Sequence, residues 1–401
     1  MTQTLDDVCT VIVDSEHKTA PVAESGTEFA LSVGTPHVRN GRLLLSDAVA
    51  VDEETYREWT VRGVPAVGDL ILTREAPVGD VGMIPAGVRI CLRQRTVLLR
   101  PDSRKINGNF LLYLLASPQL QERMHSKGAG STVPHLNIKD VRALLLGRLP
   151  SRGEQDAVAE VLVALDEKIV LNEQHAETAL ELAGYLYERE SAEHGRWSES
   201  ALKDTAKWLS GGTPRTSEPS YWGGDIPWIS AASLKTPWLY TSERSVTELG
   251  VQNGTRLVPK GAILFVVRGM SLTTEFRVGI AQREVAFGQD CKALIPHASI
   301  DPVTLFLAIR AQSPKILGMV DLAGHGTGRL VTERVANLRV RLPHGEAAAG
   351  FAARAGALMH RAVAVTNENR TLADLRDTLL PQLLSGKLRV KDAVRTVEEV
   401  V

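Results

Sequence analysis

The sequence predicts an α+β fold: two α/β modules in pseudo-two-fold tandem repeat, separated by two long antiparallel coiled-coil helices. Three observations predict it. An ordered series of strings recurs once, at a spacing of about 195 residues. Each copy is followed by a stretch with helical periodicity and almost no Pro or Gly. The composition, 44% hydrophobic and 23% charged over 401 residues, suits a chain that buries enough apolar surface to offset its ordering entropy.

The repeat is read first, because it fixes the architecture. VPAVGDLILTREAPVGDVGMIP from Val64 matches RLVPKGAILFVVRGMSLTTEFRVGIAQ from Arg256. Each reads as a turn, a strand, an arginine, a Gly-containing loop and a second strand, with Arg74 set against Arg268. ICLRQRTVLLRP then places Gln94 against Gln289 in VAFGQDCKALIP. LLYLLASPQ matches LFLAIRAQSPK, a helix ending at Ser117 or Ser313. GAGSTVPHLNIKDVRALLLGRLP matches GHGTGRLVTERVANLRVRLP, a Gly-rich loop, a helical turn and a strand running to Pro150 or Pro343. KIVLNEQHAETALELA matches AVAVTNENRTLADLR, with Asn172 against Asn367. A period this long means two tandem modules, not a solenoid.

The helices follow from capping and periodicity. Pro150 stops the preceding strand, and Ser151 with Glu154 makes a capping box. Val158, Leu162, Leu165, Ile169, Ala176, Leu180 and Ala183 then recur at heptad steps. The second helix runs from about Glu346 with Leu372, Leu375 and Leu379 on one face; Pro381 is expected to kink it and Gly386 to end it. Each helix is roughly 55 Å long at ~1.5 Å per residue and needs a partner along its length, most simply the other. Asn172 sits on the apolar seam, either as a buried register-fixing residue or at solvent through a local slip. The expected boundaries are a first module 1–150, helix 151–197, second module 198–345, helix 346–390 and tail 391–401.

Charge and cysteine usage bound the function. The net charge is -1, so DNA binding requires positive charge gathered on one face or a partner that shares the load. Cys9, Cys91 and Cys291 lie far apart without metal-ligand spacing and are expected to be reduced structural thiols. The acidic start MTQTLDDVCTVIVD does not resemble a signal peptide, and no apolar run approaches the ~20 residues of a membrane span. A soluble, cytoplasmic protein is expected.

The second module opens with WLSGGTPRTSEPSYWGGDIPWISAASL, from Trp208. Gly211, Gly212 and Pro214 mark a loop, Gly223, Gly224 and Asp225 a turn, IPWI a strand, and Ser230 to Leu234 the start of a helix. This string resembles the opening of target recognition domains in the specificity subunits of type I restriction-modification systems. DTLLPQLLSGKLRV, from Asp377, resembles the C-terminal segment of that family. EQDAVAEVLVALDEKIVLN resembles its spacer helix. The first module adds His17, Lys18 and Thr19, then ETYREWTVR, TREAPVG, RQRTVLLRP and GSTVPHLN. The resemblance covers nearly the whole chain. A departure is GTGRLVTE in the second module where the first has GSTVPHLN, and the modules differ through most of their middles.

The resemblance implies two target recognition domains that read two different halves of an asymmetric, bipartite double-stranded DNA target. The helices set the unread gap. Partners would be two adenine methyltransferase subunits and a motor-nuclease restriction subunit, which use S-adenosylmethionine, ATP and magnesium; this chain would bind none of these and would not be an enzyme.

Base edges are read by side chains that fork onto them, arginine onto guanine above all. Arg74 and Arg268 are read either as DNA contacts or as intramodule salt bridges. Thr213 and Arg215 are phosphate donors or an ordinary solvated loop. Tyr221 and Trp222 line a DNA face or pack. Gln94 and Gln289 bind adenine or hold loops. His135 and Asn137 contact DNA or cap a helix. Arg39, Arg95 and Arg329 complete the candidate set, in a chain whose first module is rich in arginine (Arg42, Arg62 and Arg104 among them).

Catalytic motifs are missing. There is no Asn-Pro-Pro-Tyr or Asp-Pro-Pro-Tyr string and no ATP-binding P-loop. GAGST lacks the third glycine of a dinucleotide fold. PDSRK, at Pro101, lacks a second carboxylate beside Asp102, and no Ser, Cys or His has a nucleophile's partner string. Two other readings are a DNA-binding regulator acting without enzymes, and a protein-binding scaffold whose DNA binding would be weak and insensitive to salt.

Overall fold

The computed structural model describes residues 2–128, 134–193, 195–323 and 326–400. Parts of the two Gly-rich strings, 129–133 and 324–325, therefore lie outside the described residues. The chain divides into one unit of 1–171 with 368–401 and a second of 172–367. Both cuts fall inside or at the long helices, Arg152–Ser191 and Glu346–Leu384. Each unit thus holds one module and about half of each helix, because the apolar seam of each half-helix is continuous with that module's core.

In the first unit the strands Cys9–Asp14, Thr96–Pro101, Leu70–Arg74 and Val78–Met83 form an antiparallel sheet in that order. LILTR is buried at all five positions, as a central strand covered on both faces must be. The helix Gly108–Ala116 packs on this sheet, and the Asn107 side chain caps it by accepting from Phe110 N at 3.0 Å. A second, three-stranded sheet joins Val49–Val51, Ala30–Val33 and Ile90–Leu92.

The second unit repeats the plan. Ala206–Ser210, Cys291–Pro296, Ile263–Val266 and Val278–Ala281 take the same order, with Trp238–Leu239 added at the edge. Helix Pro302–Ala311 is capped by Asp301, whose carboxylate accepts from Thr304 N at 2.7 Å. Gly223, Gly224 and Asp225 do not form the expected turn. They lie within the strand Trp222–Ile229 as a bulge, Trp222 and Ile226 both facing Val246. Ser230 to Leu234 is a single hydrogen-bonded turn and no helix follows it.

The capping box at the first long helix forms: Ser151 Oγ donates to Glu154 Oε2 at 2.7 Å and Glu154 N donates back at 3.4 Å. All seven seam positions from Val158 to Ala183 are buried. In the first unit the two half-helices run antiparallel. Lys168 pairs with Glu368 at 3.2 Å, and Asp166 with Arg376 at 2.7 Å. Tyr113 donates to the other Asp166 oxygen at 2.6 Å and Arg42 to its carbonyl at 3.1 Å, which ties the module to the helix. Asn172 is 1% exposed and neither side-chain polar atom has a partner, so the seam is not broken there. Pro381 lies inside the second helix, which continues to Leu384; Gly386, at φ +69°, lets the chain turn away just beyond its end. The expected tail is instead a further helix, Val390–Val400, with Ala393 buried.

All three cysteines are free, with Cys91 and Cys291 buried. Burial pushes the Cys291 thiol up to about 12. No helix among the described residues is long and apolar enough to cross a membrane.

Candidate nucleic-acid interface

Both modules end their central strand in the same backbone frame. In the first, Arg74 N donates to Arg95 O at 2.8 Å, and Leu136 N to Arg74 O at 3.0 Å. In the second, Val267 N donates to Asp290 O at 2.8 Å, and Leu330 N to Val267 O at 2.9 Å. Val267 is therefore the counterpart of Arg74, Asp290 of Arg95 and Leu330 of Leu136. The sequence match of Arg74 with Arg268 is off by one residue. In a strand a one-residue slip exchanges the two faces, and the consequence is plain: Arg74 is 5% exposed, whereas the Arg268 side chain is 56% exposed.

Arg74 accordingly forms the intramodule salt bridge. Its guanidinium lies 3.2 Å from Asp14 and donates to the Leu136 carbonyl at 3.4 Å. Buried in this way, it does not reach the surface as a DNA contact would require. Gln94 is also engaged inside its module, donating to the His17 carbonyl at 3.1 Å. Other groups at this strand end are exposed or half-buried. Glu75, which the sequence reading passed over, is 3.3 Å from Arg95 through one oxygen and 3.3 Å from His135 through the other. Asn137 is the N-cap residue of the short helix Ile138–Arg142 but makes no side-chain capping bond; its amide reaches Asp140 at 3.4 Å. Arg39 is exposed on the hairpin Val38–Arg39/Arg42–Leu43.

In the second module Arg268 and Arg329 are directly opposite on neighbouring antiparallel strands and so project from the same face. Arg268 is 3.8 Å from Asp290. Arg329 is exposed and makes no ion pair among the described residues; Asp321, opposite it on the other side, is engaged by Arg334 at 3.0 Å. Gln289 is exposed in the turn closed by Cys291 N donating to Gly288 O, next to Asp290. Two like charges facing each other on a ladder destabilise it. Such a pair is understandable where an anion is to be met.

The GGTPR loop is held against that same turn. A Cβ at Gly211 would stand 2.2 Å from the Gly288 carbonyl oxygen, and one at Gly212 2.2 Å from that of Gly254. Only glycine allows this approach. Thr213 and Arg215 are exposed beyond it. Trp222 packs: its ring meets Trp228 edge-on at 5.3 Å, its Nε1 donates to the Arg215 carbonyl at 3.1 Å, and the Arg244 guanidinium covers it at 3.6 Å. Tyr221 is half-buried, its carbonyl accepting from Thr247 N.

The structure thus gathers Arg268, Gln289, Arg329 and the GGTPR loop at one end of the second module. At the matching end of the first it gathers Arg95 and His135 around Glu75. Glu75 and Asp290 were missed because side-chain matching aligned the two arginines by type; only the backbone hydrogen bonds reveal the slip. Among the described residues no group of three His, Cys, Asp or Glu side chains is placed to hold a metal ion.

Comparison with known proteins agrees with this architecture. The family model described as "Type I restriction modification DNA specificity domain" matches residues 1–182 and 195–348, one match on each repeat. The Type I restriction enzyme EcoR124I/EcoR124II specificity subunit of Escherichia coli is 27% identical over 192 residues, 46% of this chain and 48% of that one, so the match spans about half of that relative. The Type I restriction enzyme HindI specificity subunit of Haemophilus influenzae is 20% identical over 373 residues, covering 73% of this chain and 80% of its own. The crystal structure of the type I restriction-modification system S subunit from M. genitalium shares the fold, with a TM-score of 0.55 at 17% identity and 96% of each chain covered. The chain belongs to the type I restriction-modification DNA specificity family.

Proposed function

We propose that this chain is the sequence-reading subunit of a DNA-modifying complex and reads an asymmetric, bipartite DNA target, one half with each module. The observation that carries this reading is the strand-end frame found in both modules with unlike side chains on it. One scaffold presenting two chemistries suits two unlike half-sites. The facing pair Arg268 and Arg329 supplies local positive charge that a net charge of -1 does not. Arg39, Arg95, Asn137, Thr213, Arg215 and Gln289, all exposed, and the half-buried His135 are the groups that would add base or phosphate contacts.

The long helices would set the unread gap and dock two methyltransferase subunits, with a motor-nuclease restriction subunit completing the assembly. S-adenosylmethionine, ATP and magnesium would be used by those partners. This chain would contribute no catalytic group and act in the cytoplasm.

The test is to co-express the chain with its methyltransferase subunit in a methylation-free host and map adenine methylation by single-molecule sequencing. A split, asymmetric motif that disappears without this chain is the expected result. A stable complex with no methylation would refute the reading, and salt-insensitive DNA binding would favour a protein-binding scaffold.

A further inference from the structure

The matching backbone frames place three side chains of each module at equivalent positions, and at two of the three the charge is reversed. Glu75 corresponds to Arg268, because each follows the residue whose backbone is bonded on both sides, Arg74 or Val267. His135 corresponds to Arg329, each preceding the leucine that donates to that residue. Arg95 corresponds to Asp290, each supplying the carbonyl that accepts from it. The contact between the first and third positions persists with its polarity reversed, Glu75 to Arg95 at 3.3 Å and Arg268 to Asp290 at 3.8 Å. The shared backbone frame carries this pair in either polarity, so it does not dictate which residue stands at each position. These are positions where side-chain chemistry is free to vary.

We propose that these three positions determine which base each module reads. The inference rests on the reading of both modules as DNA readers and adds the chemistry of their ligands. In the second module two guanidinium groups project together, offering donors only, in the fork geometry that fits the paired acceptors of a guanine edge. In the first, Glu75 accepts. Its two oxygens lie at ion-pair distance, 3.3 Å, from Arg95 and from His135, and each offers two lone-pair sites. The remaining capacity suits an exocyclic amino group, as cytosine and adenine present. The same carboxylate repels the acceptor-rich edge that the second module prefers, so each module rejects the other's base as well as binding its own.

The experiment uses the full chain in complex with its methyltransferase subunit, with methylation mapped as above. The variants are Arg268→Lys with Arg329→Lys, and Glu75→Arg with His135→Arg and Arg95→Asp. The lysines keep both charges and lose the fork. The expected result is a relaxed preference for one guanine, on the order of ten-fold or more, in one half-site only, with the other half-site unchanged. The arginine graft is expected to move the opposite half-site from an amino-bearing base toward guanine at one position. Thermal melting checks that the variants fold; these side chains are exposed or half-buried, and Arg268→Gln with Glu75→Gln is the milder pair should the graft lower it. A wild-type motif with no guanine in the half-site that responds to the lysines overturns the proposal, as do variants that fold and keep the wild-type motif at both positions. Absence of any split motif with the wild-type chain overturns the reading beneath it as well, which separates the two failures.

Discussion

Replacing Arg74 by alanine separates a structural arginine from a DNA-contacting one. Removing one partner of a buried ion pair costs about 3–5 kcal/mol, since the other charge is left without compensation. The Asp14 side chain keeps 18% of its exposure and has His17 at 3.5 Å, which places the loss at the low end, about 3 kcal/mol. For a unit of roughly 200 residues each kcal/mol shifts the melting temperature by about 2–4 °C, so a fall of about 6–12 °C is expected. Arg268→Ala removes an exposed side chain and should change stability by no more than about 0.5 kcal/mol. The assay pairs calorimetric melting of each variant with DNA binding by the methyltransferase complex, measured well below both transitions. Arg74→Ala should melt early and bind nearly normally when cold; Arg268→Ala should melt normally and bind weakly. An Arg74→Ala chain with unchanged melting and lost DNA affinity would refute the reasoning, because Arg74 would then have to leave Asp14 to meet the DNA.

Other expectations follow from the same geometry. Asn172→Leu should stabilise the chain by about 1–3 kcal/mol in urea unfolding, since it removes a buried amide whose two polar atoms have no partner; a loss of stability would mean that the amide is satisfied in solution. Gly211→Ala should push the GGTPR loop off the Gly288 turn, costing about 1–3 kcal/mol and impairing methylation that depends on one half-site while the other remains read. Normal melting and methylation would show that the loop has room to spare. At pH 8 a thiol held near 12 is about one part in ten thousand thiolate, so Cys291 should resist a thiol-reactive reagent until the protein is denatured. Rapid labelling of the native chain at Cys291 would contradict its burial.

Much of this fold is legible in the sequence, because periodicity and capping are local. The seven seam residues from Val158 to Ala183, the Ser151–Glu154 box and the succession of strand, loop, strand and helix along each repeat need nothing beyond neighbours in the chain to be recognised, and each is found in the structure. The bulge at Gly223 was read as a turn because glycines signal a departure from regular backbone without saying which kind. The helix through Pro381 persists because a proline near a helix end gives up only one hydrogen bond while Leu379, Leu380 and Leu383 remain buried around it.

The candidate site was less legible. The strand ends carry arginines, a glutamine and a glycine loop, but which of them face solvent depends on a register that only long-range hydrogen bonds define. Sequence by itself determined that the chain is two modules with two long helices, since burial of a periodic apolar face is decided within each element. Tertiary structure decided that Arg74 is buried against Asp14 while Arg268 stands out beside Arg329. The physical reason is that a strand's two faces differ by a single residue, and the partner strand, far away in sequence, sets which face is inside.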